Sequence, residues 1–367
     1  MIGATHRISL DLGTSLVGSP QKGHNRWHPA LSPAARVRPG DTVVADTRDG
    51  TDGQITASTS RKELARVDVN RIHPLTGPIF IEDAEPDDWL DVEILAIEPA
   101  AFGFTLVSPG SGILGDLIVE RDVVKWTMHD GVARSADLPG IAIPAAPFIG
   151  VIGVAPSEER LHRFADRESA LARDGGLVLG PDARGAVPSD ELVASEGLRT
   201  IPPRETGGNM DNKYLRTGSC VSFRVDVPGA LLSLGDVHFA QGDGEACGQG
   251  IEMQARVHLR VSVRKGGGVR WTPRCPVIVG TDSDDCRLVT MGIPVDEAGT
   301  NHDLDLSLAM RNALLDMVSY LTDERGYSLS QAYALTSATV DLHITEAVNH
   351  PNVLVSAVLP LSVLGDV

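Results

Sequence analysis

Residues 251–265 alternate apolar and polar side chains without a break. Ile251, Met253, Ala255, Val257, Leu259, Val261 and Val263 fall on one face, and Glu252, Gln254, Arg256, His258 and Arg260 on the other. That period of two predicts a half-buried strand with His258 at the surface. Glu252 sits at the end nearest a glycine-rich stretch, within reach of whatever site that stretch builds. Residues 89–97 alternate in their first half and predict a second strand. The segment 141–154 ends F-I-G-V-I-G-V, uniformly apolar, which predicts a strand buried on both faces. Shorter Val/Ile-rich runs at 37–46, 79–81, 123–132, 219–227, 230–238, 275–280, 286–291 and 353–364 read as further strands. Pro228-Gly229 reads as the turn joining 219–227 to 230–238. The Gly-rich run 102–118 reads as a loop lining or covering a site.

The period lengthens in four places. Leu304, Leu308, Leu315, Val318 and Leu321 recur at helical spacing and predict a helix over 304–322. Ser328-x-x-Gln331 is a capping-box start for a helix over 331–339. A charged run, 157–173, opens at Ser157 and stops at Gly175-Gly176, and a short helix is expected around 190–196. Strands predominate, so the expected class is α+β and β-rich, with β-sandwich-like sheets and a few helices. The expected layout is an N-terminal β-rich domain (1–156), a charged helical insertion or linker (157–206), and a C-terminal β-rich domain with two helices (207–367). The helix at 304–322 is apolar nearly all round, with Met310, Leu314, Met317 and Tyr320 beside its core stripe. Part of it is expected to pack on another subunit, which predicts a homo-oligomer.

Composition narrows the partners. The chain has 367 residues and a net charge of -17, which repels nucleic acid. No run of about eighteen apolar residues is present, so no membrane-spanning helix is expected. MIGATHRISL lacks a signal-peptide core, and the expected location is the cytoplasm. Four cysteines without C-x-x-C spacing make neither a disulfide framework nor a cysteine-rich zinc site.

Chemistry concentrates in 207–250. Asp236 and His238 are two apart on a strand and share a face, as do Asp243 and Glu245, and Asn209 and Asp211 upstream. Residues 239–242 between the first two pairs are short enough for a tight turn. Glycines at 235, 242, 244, 248 and 250 allow bends and close approach. Oxygen and imidazole groups in this pattern suit a metal site or a carboxylate-based hydrolytic site.

G-G-N-M-D, V-P-G-A-L-L-S-L-G-D-x-H and Q-G-D-G-E-x-C-G-x-G-x-E in this stretch resemble the acetamidase/formamidase family of amide hydrolases. H-N-R-W-H-P (24–29), D-G-x-D-G-Q-I (49–55), T-G-P-I-F-I-E-D-A-E-P-D-D (76–88) and the ending A-Y-A-L-T-S-A-T-V-D-L-H-I-T-E-A-V-N (332–349) extend the resemblance over nearly the whole chain. The N-terminal H-N-R-W-H-P and the insertion before Gly207 place it nearer the formamidase-like branch. The resemblance implies hydrolysis of formamide or another short aliphatic amide, a β-rich sandwich-like fold and a homo-oligomer.

An unactivated amide needs a strong nucleophile, a stabilised oxyanion and a proton for departing ammonia. A divalent metal supplies the first two. The expected ligands are Asp211, Asp236 and His238, with Glu245 as general base and Asp243 as a further ligand or an orienter of the histidine. Asn209 or Gln241 would hold the substrate amide, and His24 would touch substrate at the lip of the site. A mixed N/O set suits zinc, and an all-oxygen set calcium or magnesium. Two alternatives stand beside this. One is a cysteine nucleophile, Cys247, activated by Glu245 or His238 with Lys213 nearby. The other is a non-catalytic module binding a metal or small molecule.

Overall fold

The strand Glu252–Arg264 runs through the middle of the protein. The computed structural model describes residues 3–267, 270–282 and 285–365. Along Glu252–Arg264 the predicted alternation is realised. Met253, Ala255, Val257, Leu259 and Val261 are buried. The outward side chains pair across strands: Arg256 with Asp46, His258 with Glu98 and Arg260 with Glu93, at 2.8–2.9 Å. Such exposed cross-strand pairs set register more than stability.

One edge of this strand pairs antiparallel with Thr42–Thr47 and the other with Trp89–Val107. Its first residues meet the end of Leu232–His238, with His238 opposite Glu252. Leu232–His238 is buried throughout and pairs with Phe148–Gly153 and Leu75–Ile81. Phe148–Gly153 is buried on both faces, as its composition predicts, and also pairs with Gly207–Asn209. Strands from 1–156 and 207–367, with the short strand Pro203–Arg204 between them, thus interleave in one mostly antiparallel sheet of 19 strands among the described residues. The sheet curls around a core drawn from both segments, including Val43, Ile94, Ile149, Phe223, Leu234 and Val257. The β-rich α+β class is as the patterning predicts.

The helices follow their caps. α1 (Glu158–Arg173) starts where Ser157 accepts the Arg160 amide, and α2 (Glu191–Glu196) where Asp190 accepts the Val193 amide. α3 (Leu306–Asp323) and α4 (Leu329–Thr339) follow, α4 with the Ser328/Gln331 capping box formed in both directions. They form a second core with the strands Asp285–Gly292 and Leu354–Pro360, built on Ala309, Ala313, Met317, Leu321, Val355 and Leu359.

Three expectations change. The stretch 102–118 is not all loop: the strand continues to Val107, with Phe104 buried, and only 108–118 leaves the sheet. Gly103 is a close-approach glycine within that strand, since a Cβ there would meet the Glu252 carbonyl oxygen at 2.7 Å. Pro228-Gly229 does not join a hairpin. Ser219–Arg224 pairs with Trp89–Val107 and Val277–Asp282, whereas Leu232–His238 pairs elsewhere. The third concerns α3, where Met317 is buried and Met310, Leu314 and Tyr320 are half-buried in the chain's own second core. Its all-round apolarity therefore has a partner within the chain.

α1 anchors the approach to residues 207–211. Arg204 donates to both Glu168 carboxylate oxygens at 2.7 and 2.9 Å, with both side chains buried, and Arg167 holds Glu205 the same way at 2.6 and 2.8 Å. Removing one member of a buried pair strands the other charge. Glu168→Ala should lower the unfolding free energy by about 3–5 kcal/mol in chemical denaturation. A loss below ~1 kcal/mol would contradict the anchoring role.

Candidate functional site

Five side chains meet at the end of Leu232–His238. Asp236 and His238 leave one face of that strand, as their spacing predicts, with His238 Nε2 3.5 Å from Asp236 Oδ2. Glu252, opposite His238 in register, brings Oε1 to 3.1 Å of Nε2. Asp211 follows Gly207–Asn209, which Phe148–Gly153 holds alongside, and its Oδ1 is 3.9 Å from Nε2. Glu245 comes from the loop after the strand. Asp211, His238 and Glu245 offer ligand atoms within 4.8 Å of one another, and so do Asp236, His238 and Glu252. The expected ligand set of Asp211, Asp236 and His238 is thus divided between two overlapping triads that share the histidine.

The backbone is shaped to permit this. Asp211, Asp236 and Glu245 adopt φ of 41°, 53° and 46°. This left-handed region is uncommon for residues other than glycine and gathers at functional sites. Two glycines admit the carboxylates. A Cβ on Gly150 would lie 2.7 Å from Asp211 Oδ1, and one on Gly50 2.3 Å from Asp236 Oδ1. Gly50 belongs to the D-G-x-D-G turn, where Asp49 accepts from the Thr51 amide and hydroxyl and the Gly53 amide.

All five side chains are at most 5% exposed. His238 Nδ1 lies 2.6 Å from Gln241 Oε1, while Gln241 Nε2 donates to the Asp211 carbonyl at 3.2 Å. That amide orientation makes Nδ1 the donor and turns Nε2 toward the carboxylates. Burial pushes the carboxyls of Asp211, Glu245 and Glu252 up, the last to about 8. Asp236 goes the other way: burial raises it, but the charges of His73 and His238 outweigh that and hold it below the usual range. Burial lowers His238, yet Glu252 and Asp236 more than reverse this and hold it well above an ordinary imidazole. Asp211 Oδ1, Asp236 Oδ1, Glu245 Oε2 and Glu252 Oε2 are buried without a hydrogen-bond partner, and His238 Nε2 makes the ion-pair contacts above but no well-aligned hydrogen bond. Orphaned polar atoms of this kind are rare in folded proteins. Here they are carboxylate oxygens around an imidazole nitrogen, a donor set that fits a divalent cation.

The other expected residues lie around this centre. Gln241 is engaged at both ends, by His238 and the Asp211 carbonyl. Asn209 donates to the Ile201 carbonyl at 3.0 Å and keeps its buried Oδ1 unpartnered. Asp243 binds Lys213 Nζ at 2.8 Å and His343 Nδ1 at 2.9 Å. Cys247 donates its thiol to the Gln249 carbonyl at 3.5 Å. His24 is wholly buried, bonded to Ser233 Oγ at 2.7 Å and packed edge-on to Trp27. Sequence reasoning did not single out His73, 3.8 Å from Asp236, or Asn349, which donates to Asp211 Oδ2 at 2.6 Å. Asn349 is held in turn by Glu346, whose Oε2 accepts the amides of Val348 and Asn349 at 2.9 Å.

Comparison with known proteins places these residues in a wider set. The profile of the Acetamidase/Formamidase family matches residues 9–365. A formamidase of Methylophilus methylotrophus is 36% identical over 381 residues, covering 97% of this chain and 93% of that protein. An acetamidase of Mycolicibacterium smegmatis is 36% identical over 360 residues, covering 89% and 88%. The solved structure of a gamma lactamase from Delftia acidovorans superposes with a TM-score of 0.73 at 36% identity, covering 98% of this chain and 93% of that one.

His24 gives a test of the packing beside the centre. Burial pushes its pKa from 6.5 to about 4. Between those values the unfolded chain binds the proton and the folded one does not, so stability falls as pH drops through that window. The stability His24 contributes relative to His24→Gln should shrink by about 2–3 kcal/mol between pH 7.5 and 4.5. A difference constant over that range would contradict the burial of a neutral imidazole.

Proposed function

The chain belongs to the acetamidase/formamidase family, and from that premise we propose that it releases ammonia from a short aliphatic amide at the Asp/Glu/His centre. The observation that carries this reading is the convergence of buried carboxylates around His238 Nε2, each with one oxygen left without a hydrogen-bond partner. Asp211, Asp236 and His238, drawn from the two triads that share the histidine, would hold a divalent cation, zinc on the strength of the imidazole, with Glu252 closing the same space. When bound, such a cation polarises an amide carbonyl and lowers the pKa of water.

The chain's own residues do the rest. Gln241 fixes the tautomer of His238, and Asn349 fixes the Asp211 carboxylate. Glu245, on a loop rather than a strand, takes a proton at Oε2 from the attacking water and delivers it to the departing ammonia. The unpartnered Oδ1 of Asn209 accepts the substrate N–H. Burial excludes bulk water and strengthens each of these interactions. Cys247 lends little support to the thiol route, because Lys213 is committed to Asp243.

The chain is also proposed to act as a homo-oligomer in the cytoplasm. Four free cysteines support a reducing compartment. Leu329 and Tyr333 on α4, with Leu342 and Ile344 on Asp341–Glu346, are exposed apolar side chains that a second copy would cover. Sedimentation at micromolar protein should show a species above 38.9 kDa, and a monomer alone would refute this.

Metal analysis paired with an ammonia-release assay tests the centre. His238→Ala should lose metal and turnover together. Glu245→Gln should keep the metal and lose turnover by about a hundredfold or more. Unimpaired turnover in Glu245→Gln would remove Glu245 from the mechanism.

A further inference from the structure

The centre is closed on most sides, and a substrate needs room beside it. A cavity of about 410 Å³ has Glu252 in its wall, together with Asp49 and Gly53 of the D-G-x-D-G turn. Gly50 of the same turn packs against both Asp236 and Glu252, so the cavity and the centre share this wall. Glu252 and Gln254 leave the same face of their strand, and Gln254 Nε2 donates to the carbonyl of Leu12, another wall residue, at 3.2 Å. Two other cavities, of 670 and 510 Å³, have no side chain of the centre in their walls.

We infer that this cavity receives the acyl group of the substrate, and that the chain favours amides with an acyl chain of several carbons over formamide. The inference rests on the amide-hydrolase reading above and adds the substrate class to it. Three observations carry it. The volume falls within the range of roughly 300–1,000 Å³ typical of small-molecule pockets, whereas the acyl hydrogen of formamide would leave it empty. Its wall is largely apolar, with Leu12, Ile55, Ala100, Phe102 and Phe104 around it. Most of its polar side chains outside the centre are already engaged by the protein: Gln54 with the Thr51 and Asp68 carbonyls, Gln254 with the Leu12 carbonyl, and Arg71 with Asp52 at 2.6 Å. A hydrocarbon chain asks for no hydrogen bonds, so it suits such a wall. An anionic acyl group would meet Asp49, Asp52 and Glu252 with Arg71 already paired.

The test is a kcat/KM series for ammonia release from formamide, acetamide, propionamide and butyramide. Each added methylene should raise kcat/KM about fourfold, the fold-change matching ~0.8 kcal/mol per buried CH₂. Ala100→Trp and Ala57→Trp, which fill the cavity from two sides, should each lower the butyramide-to-acetamide ratio of kcat/KM by tenfold or more. Two variants guard against one misfolding. A flat or falling series in the parent protein, or an unchanged ratio in the folded variants, overturns the inference and leaves amide hydrolysis standing. No ammonia from any of these amides overturns both.

Discussion

Carboxylates of four residues and one imidazole share a space from which water is excluded, and the structure is arranged around that concentration of charge. Two unit charges separated by about 4–5 Å interact by roughly 3–4 kcal/mol at the effective dielectric of a protein. Repulsion of that size, summed over Asp211, Asp236, Glu245 and Glu252, is offset only by protons or by a cation. The raised carboxyls of Asp211, Glu245 and Glu252 and the retained proton of His238 are the response when protons alone are available. The same field that holds those protons draws a divalent cation.

Holding such a centre together demands a rigid frame. Leu232–His238 is paired on both edges and buried throughout, so Asp236 and His238 have little freedom. Gly50 and Gly150 let neighbouring backbone approach within contact of the acids, and Asp211, Asp236 and Glu245 take left-handed backbone conformations to aim their side chains. The outer supports arrive from distant parts of the chain: Gln241 behind the histidine, Asn349 behind Asp211, and Glu346 behind Asn349. Around them, α1 and its buried ion pairs fix the segment that delivers Asp211.

Much of the framework was legible in the sequence because it depends on local periodicity. Alternation over 251–265, the apolar run before Val154 and the helix starts at Ser157 and Ser328 each predicted an element that formed, as did the short helix expected around 190–196. The D-x-H pair was legible for the same reason, since a two-residue step fixes a shared face. The rest depends on pairing between distant strands, which local patterns do not encode. Glu252 enters through its register opposite His238, and Asn349 lies 138 residues from the Asp211 it supports. Gly103 reads locally as a strand breaker, yet it is the close contact that lets Trp89–Val107 run on beside Glu252–Arg264. Asp243 shares its spacing with Glu245 but faces outward to Lys213 and His343, because the loop's left-handed turn at Glu245 parts their directions.

The apolar cavity, the buried charges and the loop-borne Glu245 make one proposed account: a neutral amide would enter beside Glu252 and meet a centre whose carboxylates a cation would balance. Anomalous diffraction at the zinc absorption edge, from crystals of the protein purified without chelator, tests this most directly. The account predicts an ion about 2.0–2.2 Å from His238 Nε2, with carboxylate oxygens of the surrounding acids at similar distance. Crystals grown with excess zinc that show no anomalous peak there, with His238 hydrogen-bonded to the carboxylates instead, would contradict it.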